Sequence, residues 1–302
     1  MAKGLEDTAL YVYFPLASLN EVGGDPRAAD DGPAAFHQFV AARQEKWPNS
    51  LNATTTHDTK RSEDTRARTS VLSEIPERWA ECLYEWSRMN ERHTKKLDRN
   101  VVPDRNEEYL FYRTLIGAWP LQEDDWPALV PRLQDYFIKA SREANVRTRW
   151  AAPNEPHESA LREFVARTLD REANRQFCES VEHLMDWVGL YGMLNGLDQT
   201  LLKCTCPGVP DTYQGSELWD LRLVDPDNRG LIDFDRRVAS LPATDSSPKA
   251  QSRSDVEDLL SKWRDGRVKM HVLSHVLNAR RQMPDFFRLG RYKVLAATGG
   301  AR

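Results

Sequence analysis

The sequence predicts a helix-rich protein of mixed α/β class, and three observations lead to that prediction. Apolar residues recur at three- and four-residue steps over most of residues 74–202, which is the spacing of one helix face. Three threonines at positions 54–56 form a β-branched run that suits a short strand or the exit from one. Near residue 207, two prolines and a glycine exclude a helix interior and allow only a short, bounded strand.

Length and charge narrow the class of protein. A chain of 302 residues can bury a sizeable core in one or two domains. The formal net charge is only -4, with acids and bases interspersed, which argues against a nucleic-acid partner. Neither a membrane-length apolar run nor a signal-peptide pattern is evident. We therefore expect a cytoplasmic protein with no nucleic-acid or membrane partner.

The amino-terminal region combines an apolar segment with a short helix. Ala9–Leu16 is apolar and aromatic and is expected to form a strand that needs a partner surface. Gly23–Pro26 is a turn signal. Residues 27–50 place two phenylalanines and a valine at helical spacing, which predicts a loop and a short amphipathic helix.

Several helices are predicted between Glu74 and Leu202, punctuated by prolines. Core packing explains their apolar stripes without any ligand, and it is also the commoner use of the nine tryptophans, although exposed ones could stack on sugars. The stripes are Ile75, Trp79, Leu83, Trp86 and Met89; Leu110, Phe111, Leu115 and Trp119; Leu129, Leu133, Phe137 and Ala140; and Phe177, Val181, Leu184, Val188, Tyr191 and Leu194.

The carboxyl-terminal part is predicted to contain one more helical stretch. Residues 240–254 are polar and rich in Ser and Pro, as in a surface linker. Val256–Met283 then has helical periodicity, and from Phe286 the chain alternates loosely towards a strand.

The candidate metal ligands do not form a site of known spacing. The four cysteines are scattered, at Cys82, Cys178, Cys204 and Cys206. A single residue separates the last two, which is not zinc-site spacing, so we expect reduced, structural thiols. His271 and His275 could share a helix face, but no third ligand is evident.

The densest group of chemically useful side chains is Thr54–Arg66, with one histidine, three carboxylates, one lysine and two arginines. If the threonine run leads out of a strand, His57 and Asp58 lie at its carboxyl end, where α/β barrels keep their chemistry. The alternative is a helix that begins at Asp58 as the N-cap, with the following charges solvated.

This motif resembles the fourth conserved region of the α-amylase family, and it is most similar to the maltooligosyltrehalose synthases within that family. His57–Arg66 looks like their pattern His-Asp-Thr-Lys-Arg-x-Glu-Asp-Thr-Arg, with Ser62 where a glycine is more frequent. Further stretches agree in the same order: Met1–Thr8, Ser18–Pro26, Lys139–Arg147 with Trp150, Pro207–Glu217 and Asp225–Arg229. The sequence departs at Gly230–Leu231, where Arg-Pro is expected.

The resemblance implies a carboxyl-side fragment of a larger enzyme built on a (β/α)8 TIM barrel. The implied parts are a barrel segment with the His-Asp motif at 1–73, a helical insertion at 74–202, the last barrel strand with an active-site loop and closing helix at 203–285, and the start of a β-domain at 286–302.

The implied activity is that of an isomerase in trehalose biosynthesis. It would convert the reducing-end α-1,4-linked glucose of a malto-oligosaccharide into an α,α-1,1 (trehalosyl) end by intramolecular transglucosylation. A retaining reaction of this kind needs a nucleophile, an acid/base and a third carboxylate that stabilises the oxocarbenium-like transition state. By resemblance Asp58 is the third group, and the other two would precede residue 1, so the isolated chain is expected to be inactive. No metal or organic cofactor is needed for this chemistry.

The resemblance also implies which side chains hold the glucan. His57 would bind a hydroxyl beside Asp58, and Tyr213 would offer a ring for stacking. The full set of implied substrate-binding residues is His57, Lys60, Arg61, Tyr213, Gln214, Glu217, Asp225, Asn228 and Arg229. The implied partners are an α-1,4-glucan substrate and a trehalose-releasing hydrolase that acts on the product.

Three other functions stay open at this stage. The first is another glucan hydrolase or transferase of the α-amylase family, and the second is a non-catalytic glucan-binding remnant. The third is a helical scaffold, which the apolar stripes favour but which leaves His57–Asp58 and Tyr213–Gly215 unexplained.

Overall fold

The computed structural model describes residues 2–25, 32–242 and 253–295, and helices predominate in them. The helices are α1 (Ala2–Val12), α2 (Gly32–Lys46), α3 (Glu63–Val71), α4 (Pro76–Asn90), α5 (Arg105–Ala118), α6 (Trp126–Ala144), α7 (Glu155–Thr168), α8 (Arg175–Thr205), α9 (Phe234–Ala239), α10 (Arg253–Ser261), α11 (Arg267–Gln282) and α12 (Pro284–Leu289). The strands are β1 (Leu51–Asn52), β2 (Lys95–Leu97), β3 (Asn100–Val102) and β4 (Val209–Pro210).

The parallel pair β1–β4 precedes the two loops that contain the predicted site residues. Leu51 lies opposite Val209, and Asn52 lies opposite Pro210. Because the two strands run in the same direction, the segments that follow β1 and β4 leave the strand pair at the same edge. The strand predicted before His57–Asp58 is therefore confirmed, although it ends at Asn52, ahead of the threonine run.

The helix that follows the His-Asp turn begins later than the alternative interpretation requires. Helix α3 starts at Glu63, with Ser62 at the N-cap position, so Asp58 is not the N-cap. The charged side chains that follow Asp58 are largely buried, not solvated: Lys60, Arg61, Glu63 and Asp64. That alternative is wrong, because these charges find partners inside the fold.

The main hydrophobic core lies among α4, α5, α6 and α8, as the apolar stripes predicted. Trp86 is fully buried, and its ring meets those of Trp79 and Phe177 edge-on, with both pairs of centroids 5.7 Å apart. Its indole nitrogen donates to the Ser180 hydroxyl over 2.9 Å, so the polar edge of the ring is also satisfied. Tyr191 is 44% exposed, so the carboxyl-terminal end of the predicted α8 stripe lies outside the core.

Three predicted elements differ from the structure. Ala9–Leu16 was expected to be a strand, but its first half, as far as Val12, lies in helix α1, where Tyr11 packs edge-on against Tyr136 of α6 at a centroid distance of 6.4 Å. Phe286 lies in helix α12 instead of starting a strand. The β2–β3 hairpin inside the helical region was not predicted. Only for the α1 segment does a buried tertiary contact, that of Tyr11, account for the difference, since α12 buries none of its residues and β2–β3 pairs locally.

Other predictions are confirmed in part. Helix α2 forms, but its phenylalanines are exposed and only Val40 is buried. A turn forms at Val22–Gly23, where Gly23 has φ of 76°, while Pro26 lies outside the described residues. Most of the predicted linker, 243–252, and the segment 296–302 also lie outside them.

The cysteines are unpaired, as predicted, and none of the described helices meets the requirements of a membrane span. All four cysteines are unpaired, and burial raises the pKa of the Cys82, Cys178 and Cys204 thiols, which keeps them protonated. Among the described residues, no helix has the length and apolar character that crossing a membrane demands.

We expect Trp86→Ala to lower the free energy of unfolding by about 3–5 kcal/mol, because it removes a fully buried indole and leaves a cavity. The measurement is urea unfolding followed by circular dichroism. Trp187→Ala is the matched control, since that tryptophan is 61% exposed on α8 and should cost less than about 1 kcal/mol. Equal losses for the two variants would contradict this account of the core.

Candidate functional site

The exits of β1 and β4 bring the His57–Asp58 turn next to Tyr213 and Asn228. His57 is exposed and Asp58 is half-buried. Asn228, only 1% exposed, donates from its side-chain amide to the carbonyl oxygen of His57 over 3.2 Å. The Tyr213 hydroxyl donates to the Asn228 carbonyl oxygen, also over 3.2 Å. The structure thus assembles four of the predicted site residues at one edge of the strand pair.

Threonine hydroxyls hold the backbone of the His57–Asp58 turn. The Thr56 hydroxyl accepts from the backbone N–H of Asp58 over 3.2 Å, and the Thr59 hydroxyl donates to the Thr56 carbonyl over 3.0 Å. Such side-chain-to-backbone bonds are typical of turns and compete with regular secondary structure. The threonine run therefore shapes the turn instead of forming a strand.

Lys60 and Arg61 point into the protein beneath this turn. The Lys60 ammonium pairs with Asp7 of α1 at 2.6 Å, and its side chain is only 6% exposed. The Arg61 guanidinium donates to the Tyr136 hydroxyl of α6 over 2.9 Å. Both side chains thus tie the turn to neighbouring helices, and their contact with a glucan stays a prediction.

The Tyr213 loop is closed by ion pairing at Glu217. Its carboxylate accepts from the backbone N–H of Gly215 over 3.0 Å and from Arg237 of α9 over 2.9 Å. Tyr213 is partly exposed and Gln214 is exposed. Of the three predicted sugar contacts in this loop, Tyr213 and Gln214 face outward, while Glu217 has partners of its own.

Helix α6 anchors the Asp225–Arg229 loop. The Lys139 ammonium donates to the Asp225 carboxylate over 2.7 Å, and Arg132 forms two 2.9 Å bonds to the Asp227 carboxylate. Arg229 remains half-exposed, with its nearest guanidinium nitrogen 3.9 Å from Asp225. Lys139 and Arg132 were not among the predicted site residues. Sequence offered one signal for Lys139, its place in a stretch that resembles the synthases.

A cluster of buried charges lies directly behind the turn, at the start of α3. The Lys269 ammonium of α11 is fully buried and lies 2.7 Å from the Glu63 carboxylate and 2.6 Å from that of Asp64. Lys203 of α8 approaches Glu63 at 3.3 Å. The Thr54 hydroxyl also donates to Glu63, which links the cluster to the predicted site.

The surroundings lower the pKa of Glu63 and raise the pKa of Asp64. Burial opposes ionisation of Glu63, but Lys269 and Lys203 outweigh it and lower its pKa to about 2. At Asp64, burial and repulsion by the Glu63 carboxylate both disfavour ionisation. Together they outweigh the attraction of Lys269 and raise the pKa of Asp64 to about 6. Burial likewise disfavours the charged form of Lys269, yet the two carboxylates raise its pKa well above the usual value. The buried ammonium of Lys269 thus favours the ionised form of Glu63 at neutral pH.

Sequence analysis missed both lysines of this cluster. Lys203 is 140 residues from Glu63, and Lys269 is 205 residues from Asp64, so no local pattern joins them. One signal was available. Each lysine is directly flanked by two apolar residues on its helix, Lys203 by Leu202 and Cys204 and Lys269 by Val268 and Met270.

The histidine pair on α11 remains without a ligand set. The rings of His271 and His275 lie 4.0 Å apart between centroids, and the His271 carbonyl is 2.8 Å from a ring nitrogen of His275. Across residues 2–25, 32–242 and 253–295, no three side chains of His, Cys, Asp or Glu converge as a metal site requires.

The chain is similar to known proteins over nearly its whole length. Two proteins of Mycobacterium tuberculosis, from strains H37Rv and CDC 1551, are named maltooligosyl trehalose synthase and are 36% identical over 300 residues. The match covers 99% of this chain and 35% of each relative. No family model matches the chain.

Solved structures give the same result. The hypothetical maltooligosyl trehalose synthase of Sulfolobus tokodaii superposes with a TM-score of 0.81 at 35% identity, over 99% of this chain and 38% of that one. The maltooligosyltrehalose synthase of Arthrobacter ramosus gives 0.75 at 37% identity, over 95% and 34%. The predicted resemblance is confirmed: the chain is similar to maltooligosyltrehalose synthases over nearly all of its own length and spans about a third of theirs.

We expect Glu63→Gln to destabilise the protein on the order of 3 kcal/mol at pH 7, because the folded state holds this carboxyl ionised with a pKa of about 2. A lowered folded-state pKa contributes stability above the unfolded value, about 4.3, and that contribution is lost as the pH falls towards 2. The stability difference between wild type and variant should therefore shrink over this window. Denaturant unfolding at several pH values measures it, with exposed Glu81→Gln as the control. A stability difference between wild type and Glu63→Gln that does not change with pH would contradict the lowered pKa of Glu63.

We expect Lys269→Met to cost about 3–5 kcal/mol of unfolding free energy, because it leaves two buried carboxylates without their shared cation. Lys262→Met is matched in chemistry but removes an ion pair that is 57% exposed at the lysine, so it should change stability by less than about 1 kcal/mol. Thermal unfolding of the two variants tests this. A small loss at Lys269 would mean that the cluster does not stabilise the fold.

Proposed function

We propose that this chain forms the part of a maltooligosyltrehalose synthase that holds the transition-state-stabilising carboxylate, Asp58. The observation that supports the proposal most directly is the placement of the His57–Asp58 turn. It lies at the exit of β1, beside Tyr213 at the exit of the parallel neighbour β4. This juxtaposition occurs in a chain that is similar over 99% of its length to proteins named as such synthases.

We propose further that β1 and β4 are neighbouring strands of a (β/α)8 barrel. The segment between them, including residues 74–202, would be the helical insertion, and 203–285 would return the chain to the barrel. Two features support this: the strands are parallel, and the candidate site lies at their carboxyl ends. The remaining strands of the barrel would come from outside these residues.

In this proposal the reaction is a retaining double displacement. The α-1,4 bond to the reducing-end glucose breaks, and the glucan is held on a carboxylate nucleophile while an acid protonates the departing oxygen. The freed glucose then turns, and the oxygen of its anomeric hydroxyl attacks the carbon that is bonded to the nucleophile. That ester bond breaks and releases the carboxylate, while the hydroxyl proton passes to the same acid/base. The new bond is α,α-1,1, and nothing is oxidised or reduced. Water must be excluded, because hydrolysis would otherwise compete.

The described side chains fit the supporting roles in that reaction. Asp58 is a half-buried carboxylate, so its charge is incompletely screened and can stabilise the positive oxocarbenium-like state. His57 presents an exposed imidazole that can hydrogen-bond to sugar hydroxyls, and the partly exposed ring of Tyr213 can stack on a sugar. The nucleophile and the acid/base would be supplied from outside the 302 residues.

The test uses the complete gene product that contains these residues, incubated with maltopentaose. We expect reducing ends to disappear without release of glucose. Asp58→Asn should lower the turnover number by at least about 100-fold, because the amide cannot stabilise positive charge as the carboxylate does. Its thermal midpoint should stay unchanged. Asp124→Asn, at an exposed position, is the matched control and should keep full activity.

Each other outcome points to a different function. Free glucose or new reducing oligosaccharides would assign a hydrolase or transferase of the same family. Calorimetric binding of maltopentaose without loss of reducing ends would indicate a glucan-binding protein. Normal turnover by Asp58→Asn would remove Asp58 from its role, and absence of both binding and turnover would overturn the proposal.

A further inference from the structure

Arg222 occupies a central place behind the candidate site, although nothing in its local sequence marks it. Its side chain is 16% exposed and is clamped by Asp220, whose own side chain is 1% exposed. The guanidinium donates from Nε to one carboxylate oxygen of Asp220 and from Nη2 to the other, each over 2.7 Å. This two-point pairing fixes the plane of the guanidinium.

The remaining donors of Arg222 reach the two loops of the site. Nη2 also donates to the Gln214 carbonyl over 2.6 Å, and Nη1 donates to the Asn228 carbonyl over 3.1 Å. The guanidinium carbon lies 5.8 Å from the centre of the Tyr213 ring. The planar guanidinium of Arg222 therefore contacts Tyr213, Gln214 and Asn228.

The backbone of Arg222 reaches the third part of the site. Its carbonyl oxygen accepts from the backbone N–H of Ser62 over 3.0 Å and from the Thr65 hydroxyl over 3.2 Å. These groups form the first turn of α3, immediately after the His57–Asp58 turn. Arg222 thus connects all three segments that build the site.

The Tyr213 loop closes tightly on this guanidinium. Gly215 has φ of 95°, and a Cβ added there would lie 2.6 Å from Nη2 of Arg222. Asp220 stays ionised, because its hydrogen bonds and pairing with Arg222 outweigh the effect of burial and lower its pKa. The conformation of the Tyr213 loop and the ionised state of Asp220 both depend on Arg222.

We propose that Arg222 is a positioning residue that keeps Tyr213 and Asn228 in register with the His57–Asp58 turn through its planar fork of donors. The inference rests on the proposed function for its catalytic consequence, but its structural part stands on the contacts alone. Arg222 would act through the two loops, not by touching the glucan.

The chemistry predicts that lysine cannot replace this arginine. A lysine keeps the positive charge and can pair with Asp220, but it is a point charge without the rigid, planar set of donors. It cannot hold the Gln214 and Asn228 carbonyls at the same time as both carboxylate oxygens. Charge alone is therefore insufficient, and geometry is the property to test.

The test compares Arg222→Lys with Arg113→Lys in the complete gene product. Arg113 is an equally suitable buried arginine, 1% exposed, that donates to the Phe14 carbonyl and the Tyr109 hydroxyl away from the site. We expect Arg222→Lys to lower kcat/KM for maltopentaose by about 10- to 100-fold, since small displacements of positioned groups have effects of that size. Arg113→Lys should keep kcat/KM while lowering the thermal midpoint to a similar degree.

Hydrogen exchange without substrate provides a readout that does not depend on the proposed function. We expect faster amide exchange in residues 211–217 and 226–230 of Arg222→Lys and unchanged exchange there in Arg113→Lys. Unchanged exchange in both loops of Arg222→Lys overturns the inference, as does a wild-type kcat/KM in that variant.

The two proposals can fail separately. If wild type does not act on maltopentaose, the proposed function has failed, and faster exchange in the two loops still supports positioning by Arg222. Arg222→Lys is used for both measurements because it keeps a positive charge beside the Asp220 carboxylate.

Discussion

The rest of the structure depends on one buried cation, the ammonium of Lys269, shared between the carboxylates of Glu63 and Asp64. A charge taken out of water costs several kcal/mol unless partners meet it with good geometry. Helices α3 and α11 must therefore approach until these groups touch, and Lys203 imposes the same condition on α8. The helices are held in mutual register by this requirement as well as by their apolar faces.

The geometry of the candidate site follows from that register. The same two carboxylates extend to the loops: the Thr54 hydroxyl donates to Glu63, and the backbone N–H of Asp220 donates to Asp64 over 2.7 Å. Asp220 in turn holds Arg222, which bonds both site loops. A continuous chain of charged hydrogen bonds thus runs from the buried cluster to the edge where His57–Asp58 lies. Within it, Oδ2 of Asp64 accepts from both the Lys269 ammonium and the Asp220 backbone N–H, while Oδ1 of Asp64 and Oδ1 of Asn228 have no hydrogen-bond partner among the described residues.

Helix α6 of the helical region contacts residues of the candidate site. Lys139 and Arg132 of α6 hold the Asp225–Arg229 loop, and Tyr136 of the same helix receives the Arg61 guanidinium. Side chains near the site thus divide into two kinds. Lys60, Arg61 and Glu217 are engaged with protein partners, while His57, Tyr213 and Gln214 keep faces towards solvent.

Sequence by itself determined the helices, because an apolar stripe such as Leu129, Leu133 and Phe137 is a local pattern with one good solution. For His57–Asp58 the residues left two interpretations open, a strand exit and a helix start, and the family resemblance favoured the strand exit that the structure contains. Only the tertiary structure decided that Glu63 and Asp64 are buried, and that the first half of the predicted strand Ala9–Leu16 belongs to helix α1. The reason is physical: a carboxylate has the same local signature whether solvated or paired. Its partner here lies as many as 205 residues away, so only the folded chain can supply the charge that makes burial affordable.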